Sequence, residues 1–301
     1  MEILGLISRM QHFSVGDGPG IRTTVFMQGC SLNCEWCHNP ESISKIPVLL
    51  YYEKLCTRCA ECESICPNDA HEVTHTKHTF SRELCRMCGA CPKVCHANAL
   101  ILSGEKMNVS EVMLFIGEDV DFYLMSGGGL TISGGEPLLQ PEFIAALASE
   151  AKKRGIHVII DTAGNVDFSV FERLIPFTDT FFFDLKGFTQ EDYRKKAGGN
   201  FHLALENLKL LINAGCDVTV RIPVIPGYSD TVEYCSAIAE ILKKTGVKYI
   251  DLLPFHKLGA SKYEALGLEY PYEQSTPPSN DMLQELIKVF TELGFDAKTD
   301  G

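Results

Sequence analysis

Residues 21–37 have the sequence IRTTVFMQGCSLNCEWC, in which an apolar run is followed directly by three closely spaced cysteines. The run Ile21–Met27 is rich in β-branched and aromatic residues and predicts a buried β-strand. Cys30, Cys34 and Cys37 come just after the end of this strand. Because parallel α/β folds carry functional loops at the carboxyl ends of their strands, the cysteine loop is a candidate site.

Similar apolar runs alternate with longer amphipathic segments along the rest of the chain. Six β-then-α units indicate a parallel sheet with right-handed crossovers and helices on its faces. The sequence therefore predicts an α/β protein whose core is an open, partial (β/α)6 TIM-like barrel. A closed barrel of eight units would need two further strands, which the pattern does not supply. The predicted strands are Ile21–Met27, Leu130–Ser133, His157–Asp161, Thr180–Asp184, Asp217–Val224 and Tyr249–Leu253, and the predicted helices are Pro141–Lys153, Phe201–Asn213, Ser229–Lys244 and about 280–293.

Composition and charge narrow the class of protein. The chain has 301 residues, of which 45% are hydrophobic and 22% charged, and its formal net charge is −12. This acidic balance argues against a nucleic-acid backbone as the main partner, because phosphate recognition needs a basic footprint. No apolar run is long enough for a membrane helix, and the first residues lack the pattern of a signal peptide. We expect a cytoplasmic protein with no membrane partner.

The chain has 13 cysteines, and eleven of them lie between residues 30 and 95. Disulfides are rare in the reducing cytosol, and an odd number leaves one thiol unpaired in any disulfide scheme. Metal binding therefore explains the cysteines better. Cys216 and Cys235 match no metal spacing and are expected to be packing residues.

Residues 46–104 contain an internal repeat. The stretch from Cys56 to Cys66 has the spacing C-x2-C-x2-C-x3-C, and the same spacing recurs from Cys85 to Cys95. This block has no long amphipathic helix. It is predicted to be an inserted domain, interrupting a core made of residues 1–45 and 105–301.

The repeated spacing is that of bacterial ferredoxins with two [4Fe–4S] clusters, in which the fourth cysteine of each run binds the other cluster. The alternative is structural zinc, which usually takes two C-x2-C pairs and suits three close cysteines with a distant fourth badly. The sequence therefore predicts two clusters in the insert. The ligands are Cys56, Cys59, Cys62 and Cys95 for one cluster, and Cys66, Cys85, Cys88 and Cys91 for the other. The histidines between the two runs, His71, His75 and His78, are expected to be exposed to solvent.

The first cysteine group differs, because Cys30, Cys34 and Cys37 have no fourth cysteine nearby. Three thiolates on a [4Fe–4S] cluster leave one iron open, and an open metal position can carry chemistry. The spacing C-x3-C-x2-C, with Trp36 before the last cysteine, resembles the radical S-adenosylmethionine (radical SAM) superfamily. The resemblance implies that S-adenosylmethionine binds the open iron and is cleaved there to a 5′-deoxyadenosyl radical. A chance loop of three cysteines or a degenerate zinc site is the alternative.

A longer series of motifs resembles one group of that superfamily, the glycyl radical enzyme activating enzymes. The motifs occur in the order of that family and cover nearly the whole chain apart from the insert. They are residues 17–22 (DGPGIR), 28–30 (QGC), 36–41 (WCHNPE), 133–137 (SGGEP), 161–164 (DTAG), 184–186 (DLK), 221–227 (RIPVIPG) and 253–259 (LPFHKLG).

The resemblance implies contacts with S-adenosylmethionine. The segment Gly134, Gly135 and Glu136 would contact its methionyl end, although such a segment can also be an ordinary strand–helix turn. Trp36, Cys37 and His38 would line the cofactor beside the cluster. Asp161 and Thr162 are implied to help hold a monovalent cation. His256 would pack on the adenosyl group. The residues implied near the cofactor carboxylate are Asp184, Leu185 and Lys186.

Several of these residues have simpler explanations. An aspartate at a strand end is often a helix cap or turn former, and His256 could be a satisfied loop histidine. Arg221 would either neutralise the cofactor carboxylate, contact the protein substrate or form a structural salt bridge. Asp17 is implied to hydrogen-bond the backbone of the target glycine loop.

These observations predict an anaerobic radical SAM oxidoreductase that abstracts a hydrogen atom from a glycine of a partner enzyme and leaves a glycyl radical there. The insert places it with the larger activating enzymes, whose partners are dehydratases or lyases such as hydroxyproline or glycerol dehydratase. The insert clusters would relay electrons from a flavodoxin or ferredoxin, or would only order the loop or dock the partner. Two alternatives are a radical SAM enzyme acting on a small molecule or another peptide, and a plain electron-transfer iron–sulfur protein. The sequence does not identify the partner, the electron donor or the oligomeric state.

Overall fold

A computed structural model of the chain describes residues 2–299; Met1 and residues 300–301 of the predicted core lie outside the described residues. It contains thirteen strands and eleven α-helices. The strands are β1 Leu4–Ser14, β2 Arg22–Met27, β3 Val48–Tyr51, β4 His71–Val73, β5 His78–Phe80, β6 Leu100–Ser103, β7 Glu105–Asn108, β8 Gly129–Gly134, β9 His157–Thr162, β10 Thr180–Asp184, β11 Asp217–Val224, β12 Tyr249–Pro254 and β13 Asp296–Thr299. The helices are α1 Glu61–Ile65, α2 Ala90–Val94, α3 Val109–Gly117, α4 Val120–Ser126, α5 Pro141–Lys153, α6 Phe168–Leu174, α7 Gln190–Ala197, α8 Phe201–Asn213, α9 Val232–Leu242, α10 Ala260–Leu266 and α11 Asn280–Glu292.

The main sheet has nine strands in the order β13-β12-β11-β10-β9-β8-β2-β1-β7. Pairing is parallel from β2 through β8, β9, β10, β11 and β12 to β13, whereas β1 is antiparallel to both β2 and β7. This confirms the α/β class and a large parallel sheet. All six predicted strands are present, and the sheet ends at two edges, β13 and β7.

The structure adds three strands to the main sheet, β1, β7 and β13, that the apolar pattern does not predict. The four residues of β13 are all at least partly exposed, which is typical of a strand at a sheet edge. At the other edge, β1 mixes polar and apolar residues and is largely half-buried. Neither segment has the continuous apolar character of a central parallel strand.

Helix positions follow the capping residues. Helices α5 and α8 have the predicted bounds, with Pro141 opening α5 and the Asn200 side chain capping α8. The predicted start at Ser229 is wrong, because α9 begins at Val232 after Thr231, whose hydroxyl accepts from the Tyr234 N–H. Ser229 instead donates to the Pro223 carbonyl within the loop before the helix.

The core lies between the sheet and the helices. Strand β2 is buried along its whole length, and β8 is buried at every position except its last. The register pairs Met27 with Gly134 and Asp184 with Arg221, so the carboxyl ends of β2, β8, β9 and β10 lie along one edge. The loops that follow these strands are therefore brought together. None of the helices in the described part of the chain has both the length and the apolar character needed to cross a membrane.

Residues 48–103 form a small substructure beside the sheet. Strand β3 pairs with β6 and β4 pairs with β5, and neither pair joins the main sheet. The sequence repeat extends to the backbone, because three pairs of positions 29 residues apart share a left-handed conformation. These pairs are Arg58 with Met87, Ala60 with Gly89, and Asp69 with Asn98. Each repeat therefore folds in the same way, with a short helix that ends just before its fourth cysteine.

Candidate functional site

The loop that carries Cys30, Cys34 and Cys37 is held from two sides. On one side the Cys30 N–H donates to the Ile43 carbonyl at 3.1 Å. On the other side the Asn33 N–H donates to the Ala197 carbonyl at 2.8 Å, at the end of α7. The loop is thus positioned by backbone contacts and does not depend on the cysteine side chains for its place.

The three thiols of this loop lie in a poorly solvated region. Burial raises the pKa of Cys30 to about 12, and it raises the pKa of both Cys34 and Cys37 as well. Shielded thiols release their protons only when a cation compensates the thiolate charge. A loop with three such thiols fits a metal centre. The nearby ammonium of Lys186 lowers the pKa of all three thiols and so opposes the effect of burial.

Two glycines after β8 bring the next loop against the cysteine loop. Gly134 has φ +118°, and a Cβ on Gly135 would lie 2.3 Å from the Gly29 carbonyl oxygen. Only glycine fits this approach. The Glu136 N–H donates to the same carbonyl at 2.8 Å. The backbone of the SGGEP segment therefore packs directly beside the residue that precedes Cys30.

The carboxylate of Glu136 is fully buried and already has hydrogen-bond partners. Oε1 accepts from Thr162 Oγ1 at 2.7 Å and from the Leu138 N–H at 3.1 Å, and Oε2 accepts from the Ala163 N–H at 3.0 Å. Burial raises the pKa of Glu136 to about 7, although these hydrogen bonds oppose the shift. Both carboxylate oxygens therefore join the end of β8 to the end of β9.

Four charged side chains from the ends of β9, β10 and β11 meet beside these loops. Lys186 Nζ lies 2.5 Å from Asp184 Oδ2, and Arg221 Nη1 lies 3.5 Å from Asp161 Oδ1. Arg221 Nε is 4.0 Å from Asp184 Oδ1, and Ser133 Oγ donates to Asp161 Oδ2 at 2.6 Å. Burial, reinforced by the charge of Asp184, raises the pKa of Asp161 to about 6. Two anions and two cations thus share one poorly hydrated region.

This charged group has unused hydrogen-bonding capacity. Oδ1 of Asp161 and Oδ1 of Asp184 are both buried without a hydrogen-bond partner. Leu185, which lies between Asp184 and Lys186, is buried and its N–H donates to the Arg221 carbonyl at 2.9 Å. Buried acceptors of this kind usually have a partner, so they fit a bound polar ligand or cation at this place.

Aromatic rings cover the other side of the cysteine loop. Trp36 is buried against Tyr228, with ring centroids 5.3 Å apart. The imidazoles of His38 and His256 stack at 3.8 Å, and His38 Nε2 is buried without a hydrogen-bond partner. Burial, followed by the neighbouring His256, lowers the pKa of His38 to about 3. The buried apolar cluster that contains Trp36 also includes Ile225, Phe255, Tyr263, Tyr270 and Tyr272.

Lys262 and Glu41 form a contact that the sequence did not point to. Lys262 Nζ lies 2.6 Å from Glu41 Oε1 and donates to Asn39 Oδ1 at 2.7 Å. Both partners belong to the quoted segment HNPE, but Lys262 lies more than 200 positions later on α10. Only the packing of α10 against the cysteine loop reveals this pair.

Asp17 contacts the sheet farther from the carboxyl ends of its strands than the cysteine loop does. Its carboxylate accepts from Thr24 Oγ1 at 2.7 Å, and its carbonyl accepts from Thr131 Oγ1 at 2.7 Å. Thr24 and Thr131 are the third residues of β2 and β8, well before the strand ends that carry Cys30 and Glu136. The DGPG loop therefore contacts β2 and β8 midway along their length.

The eight cysteines of residues 48–103 surround two small, partly open cavities. One is lined by Cys56, Cys59, Cys62 and Cys95, and the other by Cys66, Cys85, Cys88 and Cys91. The cysteine that follows each short helix, Cys66 or Cys95, therefore lines the cavity of the other repeat. Four thiols around a small cavity fit a cubane cluster.

The expectation that the histidines of this segment are solvent-exposed is wrong for two of the three. His71 is 5% exposed and His78 is 4% exposed, whereas His75 is exposed. One ring nitrogen of His71, one ring nitrogen of His78 and the Sγ of Cys62 all lie within 4.8 Å of one another. Alternation of apolar and polar residues along a strand predicts which side chains are buried. The strands that carry His71 and His78 have only three residues each, which is too short to show this alternation.

Comparison with known proteins agrees with this geometry. The sequence model of the radical SAM superfamily matches residues 85–235. The trans-4-hydroxy-L-proline dehydratase activating enzyme of Clostridioides difficile is 38% identical over 299 residues, covering 98% of this chain and 99% of that protein. The chain belongs to the radical SAM superfamily.

Further relatives of this radical SAM enzyme are also activating enzymes. The choline trimethylamine-lyase activating enzyme of Oleidesulfovibrio alaskensis is 36% identical and covers 98% of this chain and 97% of that protein. A radical SAM methyltransferase from Sphaerobacter thermophilus has the same fold, with a TM-score of 0.55 and 13% identity over 99% of this chain and 77% of that one. The curated relatives place the chain among the activating enzymes of glycyl radical enzymes. Membership implies S-adenosylmethionine, at least one [4Fe–4S] cluster and a glycyl radical enzyme as partner.

Proposed function

We propose that Cys30, Cys34 and Cys37 bind the [4Fe–4S] cluster at which this enzyme cleaves S-adenosylmethionine. The single observation that carries the proposal is the meeting of three shielded thiols with the buried charges of Asp161, Asp184, Lys186 and Arg221 at one edge of the parallel sheet. The six predicted β-then-α units form a partial barrel around this edge. When bound, the cluster and S-adenosylmethionine supply the 5′-deoxyadenosyl radical.

The residues around the thiols hold and orient the cofactor. Because both carboxylate oxygens of Glu136 already have protein partners, the segment Gly134–Glu136 offers the methionyl group its backbone. Lys186 and Arg221 offset the negative charge of the cofactor carboxylate, and Asp184 holds the ammonium of Lys186 at 2.5 Å. The buried Oδ1 of Asp161, helped by Thr162, is the proposed ligand for a monovalent cation. Trp36 and His38 line the cofactor beside the cluster, and His256 packs on the adenosyl group.

The partner enzyme approaches with a glycine loop. Asp17 is proposed to hydrogen-bond the backbone of that loop, and Arg221 either offsets the cofactor carboxylate or contacts the loop. The carboxylate of Asp17 accepts from Thr24 Oγ1 at 2.7 Å and has lone pairs for further donors, which suits the N–H groups of a peptide. Transfer of one hydrogen atom from the glycine α-carbon to the 5′-deoxyadenosyl radical gives 5′-deoxyadenosine and a glycyl radical on the partner.

Residues 46–104 are proposed to be a ferredoxin-like domain inserted in a core of residues 1–45 and 105–301. Two observations support two further [4Fe–4S] clusters there, namely the repeated backbone conformation and the two cavities lined by four cysteines each. These clusters would pass electrons from a flavodoxin or ferredoxin to the catalytic cluster, under anaerobic conditions in the cytoplasm. The partner is proposed to be a dehydratase or lyase, with hydroxyproline and glycerol dehydratase as the first candidates.

The test starts from anaerobically reconstituted enzyme. Three clusters predict about twelve irons per chain, and dithionite-reduced enzyme should convert S-adenosylmethionine to 5′-deoxyadenosine. Cys30→Ala should lose that turnover and about four irons, while Cys216→Ala, a half-buried cysteine outside the motifs, should lose neither. Turnover by Cys30→Ala would overturn the assignment of the catalytic cluster.

A second measurement separates the activase from a radical SAM enzyme that acts on a small molecule. Mixing the reduced enzyme with a candidate dehydratase or lyase should produce the doublet of a glycyl radical in electron paramagnetic resonance. Cleavage of S-adenosylmethionine without a radical on any such enzyme would favour the small-molecule alternative.

A further inference from the structure

A pair of buried histidines lies between the two cysteine-lined cavities. His71 begins β4 and His78 begins β5, and the hairpin places them side by side on its buried face. His78 lines the cavity of Cys56, Cys59, Cys62 and Cys95, whereas His71 lines the other one. The two rings are joined by a hydrogen bond of 3.0 Å between His71 Nδ1 and His78 Nε2.

The contacts of His78 determine where its proton lies. His78 Nδ1 is 3.3 Å from Cys56 Sγ. A cluster-bound cysteine is a thiolate and only accepts hydrogen bonds, so Nδ1 of His78 must carry the hydrogen. In the neutral ring Nε2 is then an acceptor. Its two neighbours are His71 Nδ1 at 3.0 Å and Cys62 Sγ at 3.7 Å, and of these only the imidazole can donate, because a cluster-bound thiolate has no proton. The geometry therefore gives a chain of two N–H donors that ends on the sulfur of Cys56.

The second cavity offers a matched comparison. The first cysteine of each run accepts one backbone bond, from Arg58 N–H to Cys56 Sγ at 3.4 Å and from Met87 N–H to Cys85 Sγ at 3.5 Å. Cys66 in the second cavity also accepts from the Ala70 N–H at 3.3 Å. The positions 29 residues after His71 and His78 are Leu100 and Met107, whose side chains have no N–H group. The imidazole donor is thus an addition to the first repeat that the duplication does not explain.

We propose that His78, oriented by His71, donates an N–H···S hydrogen bond to Cys56 and thereby raises the reduction potential of the first insert cluster. Hydrogen bonds to cluster sulfurs stabilise the reduced, more negative state and raise the potential. The reduced form of the cluster held by Cys56, Cys59, Cys62 and Cys95 is therefore stabilised by the histidine. The inference rests on the proposed presence of both insert clusters. His78 is a positioning and tuning residue and is not a ligand.

The first experiment is a redox titration followed by electron paramagnetic resonance. It uses the full chain with the Cys30→Ala substitution, so that only the insert clusters contribute. His78→Leu should lower the midpoint potential of one cluster, so that its ratio of reduced to oxidised form at fixed potential falls about tenfold, which is about 59 mV for one electron. His78→Asn, which keeps an N–H near the position of Nδ1, should restore most of the potential, and His71→Leu should give a smaller shift. The exposed His75→Ala is the control and should change nothing.

A second measurement needs no substitution of the histidines. In reduced protein labelled with ¹⁵N-histidine, pulsed electron paramagnetic resonance should show a weak ¹⁵N coupling to one of the two clusters. A strong coupling would mean that histidine is a direct ligand, and no coupling would mean that the hydrogen bond is absent; either result overturns the inference. Unchanged midpoints in His78→Leu with both clusters present would also overturn it, while leaving the proposed function intact. Far fewer than eight irons in the Cys30→Ala chain would instead contradict the insert clusters themselves.

Discussion

Thr162 Oγ1 donates a hydrogen bond of 2.7 Å to Glu136 Oε1, and both residues are buried. This bond connects the loop after β8 to the end of β9, beside the residues proposed to hold S-adenosylmethionine. The carboxylate of Glu136 has no access to water, so each of its protein donors matters.

Thr162→Val should destabilise the protein and weaken cofactor binding together. Loss of one donor to a buried carboxylate costs about 1–3 kcal/mol of unfolding free energy. Because the same loop presents the backbone of Gly135, binding of S-adenosylmethionine should also weaken. Denaturant unfolding and isothermal titration calorimetry measure the two effects, and Thr162→Ser, which keeps the hydroxyl, should restore both. Full binding by the valine variant would show that the loop is held by other contacts.

The raised pKa of Glu136 predicts a pH dependence with a definite sign. In the folded protein its pKa is about 7, against an ordinary value of 4.5, so the folded state keeps a proton that the unfolded state has lost between these values. Its contribution to stability is therefore greatest below pH 4.5 and declines up to about pH 7, by about 3 kcal/mol in all. Glu136→Gln removes this titration. The difference in unfolding free energy between wild type and variant should change with pH in this window and be flat above it; a flat difference throughout would contradict the raised pKa.

Arg221→Leu should leave two buried carboxylates without their shared cation. Arg221 lies 3.5 Å from Asp161 and 4.0 Å from Asp184. Asp184 keeps Lys186 at 2.5 Å, so the loss falls mainly on Asp161. Removal of one partner from a buried ion pair typically costs about 3–5 kcal/mol. Adding Asp161→Asn should recover part of this loss in denaturant unfolding. If Asp161→Asn made the variant still less stable, the two side chains would not be coupled as the distances indicate.

The parts of this molecule that the sequence predicts are those with a strong local pattern. Central strands such as Thr180–Asp184 are continuous apolar runs, and Pro141 and Asn200 mark helix starts by their own chemistry. The edge strand Asp296–Thr299 alternates weakly and was not predicted. The sequence pattern extends the helix to Ser229, whose hydrogen bond to the Pro223 carbonyl exists only in the folded loop.

The site shows the same division between local and distant information. The cysteine spacing and the motif SGGEP are local, so the candidate ligands are predictable from the sequence. The contact of Lys262 with Glu41 joins residues far apart in the chain, and the burial of His71 and His78 depends on the packing of a three-residue hairpin. Such features arise from tertiary packing, which no short pattern in one sequence encodes.

Two side chains of residues 48–103 bind α10, and they differ in strength. Arg82 donates to the Ala265 carbonyl on α10 at 2.7 Å and to the Leu49 carbonyl of β3 at 3.0 Å, whereas Lys54 forms an exposed ion pair with Glu264 on the same helix. Hydrogen bonds from a charged donor are worth about 1.5–3 kcal/mol, whereas a fully exposed ion pair contributes little.

Arg82→Met should therefore loosen the contact with α10, and Lys54→Met should leave it nearly unchanged. Hydrogen exchange of the α10 amides measures the effect directly. In reconstituted enzyme, Arg82→Met should also slow reduction of the catalytic cluster while keeping its iron content. Equal protection of α10 in the two variants would show that the insert is held elsewhere.

The crossed arrangement of cysteines gives the last prediction, because each fourth cysteine lines the cavity of the other repeat. Cys66 lies with Cys85, Cys88 and Cys91, and Cys95 lies with the cysteines of the first repeat. Cys66→Ala should therefore perturb the cluster of the second repeat, although Cys66 belongs to the first run in sequence. The ¹⁵N-histidine coupling identifies the clusters independently, since His78 contacts Cys56. It should persist in Cys66→Ala and weaken or vanish in Cys95→Ala; the reverse result would mean that each run binds its own cluster, and that the cavities do not reflect the ligand sets.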